Sequence, residues 1–169
     1  MPTLLEADQV ADNPWTLVLD TETTPDDLPA GPVMIPVSVW LAHRSTLSER
    51  QEPVAIWLPS DAEPDEFADE LDSFELIGIQ FPSFNDGRAL SLATLLRTRY
   101  GYRGALRAVG EVHEDLIHYM RRCGIDSYLL REGGNVEAAQ RNYAIMSDYY
   151  QGSVIEPQPL FRRARRSAG

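Results

Sequence analysis

Lysine is absent from the 169-residue chain, and cysteine occurs once, at Cys123. A single cysteine excludes an internal disulfide framework and a zinc site built from several thiolates. No apolar run approaches the roughly 18 residues that a membrane span requires. The acidic N-terminus also lacks the basic and apolar regions of a secretory signal. These absences predict a cytoplasmic protein that neither spans a membrane nor depends on disulfides.

Basic residues are scarce in the first half of the chain. Residues 1–80 contain 17 acidic side chains and two arginines, whereas residues 81–169 contain nine acidic side chains and 13 arginines. The formal net charge is −11. The acidic half argues against general nucleic-acid binding, while the arginines of the second half could attract an anion or an acidic partner.

Strands alternate with helices from residue 53 onward. Apolar runs bounded by turn residues predict strands at 53–58, 75–80, 105–109 and 127–130. Amphipathic or capped segments predict helices that start at Pro64, Arg88 and Glu114 and after Asn135. The first helix has Phe67, Leu71 and Phe74 at i, i+4 and i+7, and the last carries Ala139, Tyr143, Met146 and Tyr150. This alternation implies an α/β protein with four β-α units and a mainly parallel sheet. The sheet could form half of a (β/α)₈ barrel or a small open twisted sheet.

The chain is predicted to contain one main domain flanked by two simpler segments. Residues 53–151 form the β-α domain, residues 1–52 pack on it as an irregular strand/helix segment, and residues 152–169 form a mobile basic tail. Because a four-stranded parallel sheet has exposed edges, it must be covered by the N-terminal segment or paired with a second copy.

The N-terminal segment has weaker patterns than the main domain. Residues 1–14 show no periodicity and are predicted to be loose, a short strand is predicted at 15–19, and residues 43–52 are a polar connection. Residues 32–42 fit either a strand or a helix. The helix is slightly favoured because Pro36 suits the first position of a helix.

The turn after the second predicted strand carries the most distinctive polar residues. Loops that follow parallel strands meet at one edge of the sheet, where function usually lies. Asp86-Gly87-Arg88 stands there at a helix start, whose free N–H groups and arginine fork suit an oxyanion. A structural interpretation is slightly favoured: Asp86 caps the helix, Gly87 permits the turn, and Arg88 pairs with Asp86 or Glu111.

Arg107 and Glu111 extend this candidate site. Arg107 lies within the third predicted strand, where alternation places its side chain on one face with Ala105 and Val109, and Glu111 follows that strand. The predicted ligand- or anion-binding residues are therefore Asp86, Gly87, Arg88, Arg107 and Glu111. No catalytic residue is assigned, because no Ser-His-Asp or Cys-His arrangement occurs at a recognisable spacing. Without a nucleotide glycine fingerprint or a cysteine cluster, the sequence predicts no cofactor and no metal site.

Three segments resemble the successive signatures of one bacterial family, domain of unknown function 934. They are Phe81-Pro82-Ser83-Phe84-Asn85-Asp86-Gly87-Arg88, Leu106-Arg107-Ala108-Val109-Gly110-Glu111-Val112 and Arg122-Cys123-Gly124-Ile125-Asp126. The resemblance extends from about Trp40 to Gln151. It implies a cytoplasmic protein of assimilatory sulfate and sulfite reduction, encoded alongside the sulfite reductase haemoprotein. The family is labelled an oxidoreductase, a label that expresses a pathway association rather than an established activity.

Three functions remain open at this point. The first is a non-catalytic accessory protein that binds sulfite reductase or its electron donor through the loop face. The second is a small anion-binding enzyme or oxidoreductase acting on a sulfur oxyanion. The third is a homodimeric scaffold. Neither nucleic acid nor a membrane is predicted as a partner.

Overall fold

The computed structural model describes residues 2–145, whose centre is one eight-stranded sheet. In chain order the strands are β1 (Leu4–Glu6), β2 (Gln9–Ala11), β3 (Thr16–Leu17), β4 (Val33–Pro36), β5 (Val54–Leu58), β6 (Leu76–Phe81), β7 (Ala105–Gly110) and β8 (Ser127–Leu129). They lie in the order β2-β1-β8-β7-β6-β5-β4-β3. Strands β3 to β8 pair in parallel, whereas β1 pairs antiparallel with both β2 and β8.

Helical segments follow each strand from β4 to β8. The α-helices are α1 (Val37–Ala42), α2 (Arg44–Ser48), α3 (Arg88–Thr98), α4 (Ile117–Arg122) and α5 (Val136–Ala144). The 3₁₀ segments are Pro25–Asp27, Pro64–Ser73 and Glu114–Leu116. Buried residues from all five α-helices belong to one core cluster, so these connections pack on the same face of the sheet, as the right-handed crossover rule for neighbouring parallel strands expects.

Alternation along the strands divides the buried side chains between two faces of the sheet. The larger core, between the sheet and the helices, includes Ile56, Leu58, Ile77, Ile79, Leu106 and Tyr128. The smaller core on the opposite face consists of Leu4, Met34, Ala55, Trp57, Leu76, Val109 and Leu129. Gly78 lies at a point of close approach on this second face. A Cβ there would be 2.6 Å from Met34 Sδ and 3.0 Å from Trp57 Cβ.

The link between β2 and β3 shows that the sheet is strongly curled. A flat sheet of eight strands would separate its two edge strands by about 34 Å. The chain passes from Ala11 in one edge strand to Thr16 in the other, a distance of at most about 18 Å for a fully extended chain. The edges must therefore approach each other. Trp15 from this link packs into the smaller core, so that core lies on the concave, inner face.

The predicted α/β class and its half-barrel form are confirmed. The four strands predicted from residue 53 onward are present within one or two residues of their expected bounds, and Asn135 caps α5 by accepting the Ala138 N–H at 2.9 Å. The N-terminal segment covers one edge of the parallel strands, because β1 pairs with β8. Strands β1 to β4 thus belong to the same sheet as the predicted main domain.

Several expectations for the N-terminal segment were wrong. Residues 1–14 are not loose, since they contain the hairpin of β1 and β2, whose three-residue strands are too short to show a period. Residues 43–52 contain α2, where only Leu47 is buried and the sequence therefore looks like a polar loop. Residues 32–42 are neither strand nor helix alone, because β4 ends at Pro36 and α1 begins at Val37.

The acidic helix predicted from Pro64 is instead a 3₁₀ segment, Pro64–Ser73, interrupted at Phe67 where φ is −139°. The predicted continuation of the last helix through Met146 and Tyr150, the domain boundary at residue 151 and the basic tail lie outside the described residues. Within residues 2–145, no helix has the length and apolar character needed to cross a membrane.

Candidate functional site

The loops after β5, β6, β7 and β8 meet at the carboxyl edge of the sheet, where β/α proteins usually carry their functional groups. We call these loops the rim; they comprise residues 59–63, 82–87, 111–113 and 130–135.

Asp86 is fixed by four hydrogen bonds between two rim loops and α3. Its Oδ1 accepts the N–H and the Nε–H of Arg88, both at 3.0 Å. Its Oδ2 accepts the Nη2–H of Arg88 at 2.8 Å and the Ser60 hydroxyl at 3.0 Å. The hydrogen bonds from Arg88 hold the pKa of the Asp86 carboxyl well below its ordinary value of 3.8. Asp86 therefore joins the loop after β5 to the start of α3.

Arg88 is the exposed partner of this pair, and its pairing with Asp86 is the part of the structural interpretation that the geometry confirms. The Arg88 side chain is 65% exposed, and its Nε and Nη2 both donate to Asp86 rather than to Glu111. Gly87 has an ordinary φ of −73°, and a Cβ there would meet nothing within 4 Å. The turn thus does not require glycine. Binding of an oxyanion by these residues stays a prediction.

The Asp86 carboxylate gives the folded state a defined dependence on pH. Because the pKa of Asp86 is lower in the folded than in the unfolded protein, its ionised form stabilises the fold above about pH 4, and this contribution is lost as the pH falls. Asp86→Asn should lower Tm at pH 7. The Tm difference from the unsubstituted protein should then shrink between about pH 4 and pH 2. Scanning calorimetry of both proteins across this pH range measures the Tm difference.

Asp61→Asn is the matched control for this measurement. Asp61 lies in the rim loop after β5 and is exposed, and its carboxylate accepts no hydrogen bond within residues 2–145. Asp61→Asn should leave Tm nearly unchanged at every pH of the series. A Tm difference for Asp86→Asn that stays constant down to pH 2 would contradict the proposed role of the carboxylate charge.

Arg107 lies away from the rim, inside the curled sheet. It is only 5% exposed and stands in β7 between Gly78 of β6 and Ser127 of β8. Its Nε donates to Ser127 Oγ at 3.0 Å and its Nη1 to Asn13 Oδ1 at 3.1 Å, while Nη2 is 3.6 Å from Glu6 Oε1. Burial lowers the pKa of Arg107.

The predicted site residues thus fall into separate groups. Asp86, Gly87 and Arg88 lie together, but no hydrogen bond or ion pair among residues 2–145 joins them to Arg107. Arg107 instead anchors Asn13, which belongs to the link that crosses the inner face. The arrangement assigns Arg107 a structural position rather than a place beside Arg88.

Glu111 lies on the rim because of the geometry of Gly110. Gly110 has φ +90°, and a Cβ there would be 2.6 Å from the Phe81 carbonyl oxygen. Only glycine fits this position without strain. The turn allows the Glu111 N–H to donate to the same carbonyl at 2.8 Å. The end of β7 is thereby tied to β6, and the Glu111 side chain, 56% exposed, stands at the edge.

His113 connects Glu111 to the loop after β8. Its Nε2 is 3.8 Å from Glu111 Oε2, and its Nδ1 accepts the Arg131 Nε–H at 3.2 Å. The Arg131 Nη2 is also 3.7 Å from Glu114 Oε2. Because Nδ1 is an acceptor here, neutral His113 carries its proton on Nε2, directed towards Glu111.

Phe84 is the most exposed aromatic side chain of the rim. It is 48% exposed, and its ring meets the His113 ring edge-to-face with centroids 5.1 Å apart. Sequence reasoning placed Phe84 in the first signature segment but assigned it no role. The signal that could have identified it is its position, since an aromatic residue among turn residues lies where no core can bury it.

A cleft of about 500 Å³ opens between the rim and the segment after β3. We call it the rim cleft; its lining consists of Pro2, Leu17, Leu19, Gln80, Phe81, Pro82, Gly110, Glu111, Leu129, Leu130, Arg131 and Glu132. Of the predicted site residues, only Glu111 contributes to it. Sequence reasoning could not find the cleft, because its walls come from strands that are distant in sequence. In the described part of the chain, no group of three or more His, Cys, Asp or Glu side chains is arranged to hold a metal ion.

These features define a β/α protein with a curled, mainly parallel sheet and a polar rim at its carboxyl edge. Residues 55–161 match the family described as "Bacterial protein of unknown function (DUF934)". The match covers more than half of the chain, and the protein belongs to this family, as the three signature segments predict. No curated protein and no solved structure matches the chain.

Proposed function

We propose that the protein is a non-catalytic accessory protein of assimilatory sulfite and sulfate reduction. It docks through its rim on the sulfite reductase haemoprotein or on the electron donor of that enzyme. The pathway comes from the association implied by the resemblance of the signature segments, and the docking surface comes from the geometry of the rim.

Phe84 is the observation that carries this proposal. Exposed aromatic side chains that are held in place make strong contributions to protein interfaces, because they bury a large area with little loss of conformational entropy. Phe84 is 48% exposed and is oriented by His113, which in turn accepts a hydrogen bond from Arg131. The ring is therefore presented to a partner without first having to be ordered.

The proposal is tested by pull-down with the purified haemoprotein and, in parallel, with its electron donor. One of the two should be retained by the full chain, and its presence should change the rate of sulfite reduction. Phe84→Ala should weaken this binding about tenfold, the effect of losing one interface residue of average strength.

Tyr119→Ala is the matched control for Phe84→Ala. Tyr119 is also 48% exposed, but it is carried by α4 rather than by a rim loop. The Tyr119→Ala variant should bind the retained partner as tightly as the unsubstituted protein does. Retention of neither candidate partner would overturn the proposal, and equal losses for the two variants would move the docking surface away from the rim.

A further inference from the structure

The rim cleft lies where the inner face of the sheet reaches its carboxyl edge. Leu129 belongs to the smaller core on the inner face, and Leu17 packs against that core. Together they form the apolar floor of the cleft. Leu19, 59% exposed, and Pro82 stand at the mouth. A cavity of about 500 Å³ is within the range of small-molecule sites, which are mostly apolar with a few polar groups.

One polar wall of the cleft is formed by the ends of β6 and β7. Alternation along β6 places Gln80 on the inner face with Leu76 and Gly78. Its Cγ is 3.4 Å from the position that a Cβ on Gly110 would occupy. The absence of a side chain at Gly110 therefore keeps this wall open beside the amide of Gln80 and the carboxylate of Glu111.

Glu111 contributes an exposed carboxylate to the cleft, since its side chain is 56% exposed. Arg131 is the only basic residue of the lining within the described chain. The Arg131 guanidinium already donates to His113 and lies 3.7 Å from the Glu114 carboxylate. Its positive charge is therefore largely offset. An oxyanion entering the cleft would be repelled by the Glu111 carboxylate, whereas a cation would be attracted to it.

We infer that the rim cleft binds a small organic cation with an apolar body. The body lies on Leu17 and Leu129, and the cationic group lies at the mouth beside Glu111. This ligand class is opposite in charge to the oxyanion that the arginines of the sequence suggest. The inference does not depend on docking of a partner protein.

Three probes of similar shape and different charge test the inference: benzamidine, benzamide and benzoate. Each is titrated into the ¹⁵N-labelled full chain, and the backbone amide shifts are followed by NMR. Benzamidine should shift the amides of Gly110, Glu111 and Arg131 saturably, with a dissociation constant of about 1 mM or lower. Benzamide should bind more weakly, and benzoate should produce no saturable shift at these amides.

Glu111→Gln keeps the size of the side chain and removes its charge. It should weaken benzamidine binding about fivefold, the effect of one partly exposed ion pair. Glu75→Gln is the control, because Glu75 is an exposed glutamate that precedes β6 at the opposite edge of the sheet. Absence of saturable shifts at the cleft amides would overturn the inference. Benzoate binding as tightly as benzamidine, or equal effects of the two substitutions, would do the same.

Discussion

Replacing Arg97 by alanine is expected to lower the free energy of unfolding by about 3 kcal/mol and Tm by about 6–12 °C. From the last turn of α3, its guanidinium donates five hydrogen bonds of 2.7–3.0 Å to the Tyr102, Gly104 and Gly124 carbonyls and to Asp126 Oδ2. The same carboxylate oxygen accepts the N–H of a residue in β7. The substitution leaves three carbonyls without this partner and releases two loops. Urea unfolding measures the loss.

Arg99→Ala and Arg97→Lys separate the guanidinium from charge in general. Arg99 is exposed two residues further along the chain, with its guanidinium 5.5 Å from the Tyr100 ring centroid, and its removal should change stability little. Arg97→Lys keeps the charge but cannot reproduce the planar fork of donors, so most of the loss should remain. If Arg97→Ala unfolds at the same urea concentration as Arg99→Ala, the guanidinium does not hold the two loops together.

Arg107→Ala is expected to lower the free energy of unfolding by about 2–4 kcal/mol. The substitution removes the Arg107 donor from Ser127 Oγ and from Asn13 Oδ1, and it opens a void on the inner face. The link across that face should loosen as well. The Trp15 amide, which donates to Asn13 Oδ1 at 3.2 Å, should exchange its hydrogen faster. Urea unfolding and hydrogen exchange measure the two effects.

Arg107→Met distinguishes packing from hydrogen bonding at the same position. Methionine fills much of the space, and apolar residues of similar volume are often tolerated in place of buried charges, so the loss should be smaller than for alanine. Arg88→Ala is the comparison at an exposed arginine, since that side chain is 65% exposed. If Arg107→Ala is as stable as Arg88→Ala, the structural role of Arg107 is contradicted. Loss of anion binding in the Arg107→Ala variant would contradict that role further.

The β-α part of the fold could be predicted because each of its strands has local evidence. Strands β5 to β8 are apolar runs bounded by turn residues, and each is followed by a segment with helical spacing. Phe67, Leu71 and Phe74 are buried, as the i, i+4, i+7 pattern predicts. The pattern did not reveal the 3₁₀ geometry, because the break at Phe67 still lets all three side chains reach the core.

The candidate site could be predicted only in part. The helix start at Asp86 and Arg88 is a local feature, and the structure places these two residues in contact. Strand alternation also places Arg107 correctly, on one face with Ala105 and Val109. Alternation does not indicate what covers that face. The cover is a link whose position is set by pairing at both edges of the sheet, and no local pattern in the sequence records that pairing.

The pairing of β1 with β8 also sets an order of events during synthesis. Leu4 lies opposite Leu129, 125 positions further along the chain. The parallel strands can be added one after another as they are made, since each pairs with its predecessor. The β1–β2 hairpin leaves the ribosome before the parallel strands do, but the edge that receives it forms only after β8. Residues 4–11 are thus made before the parallel strands but are among the last of the sheet to reach their native positions.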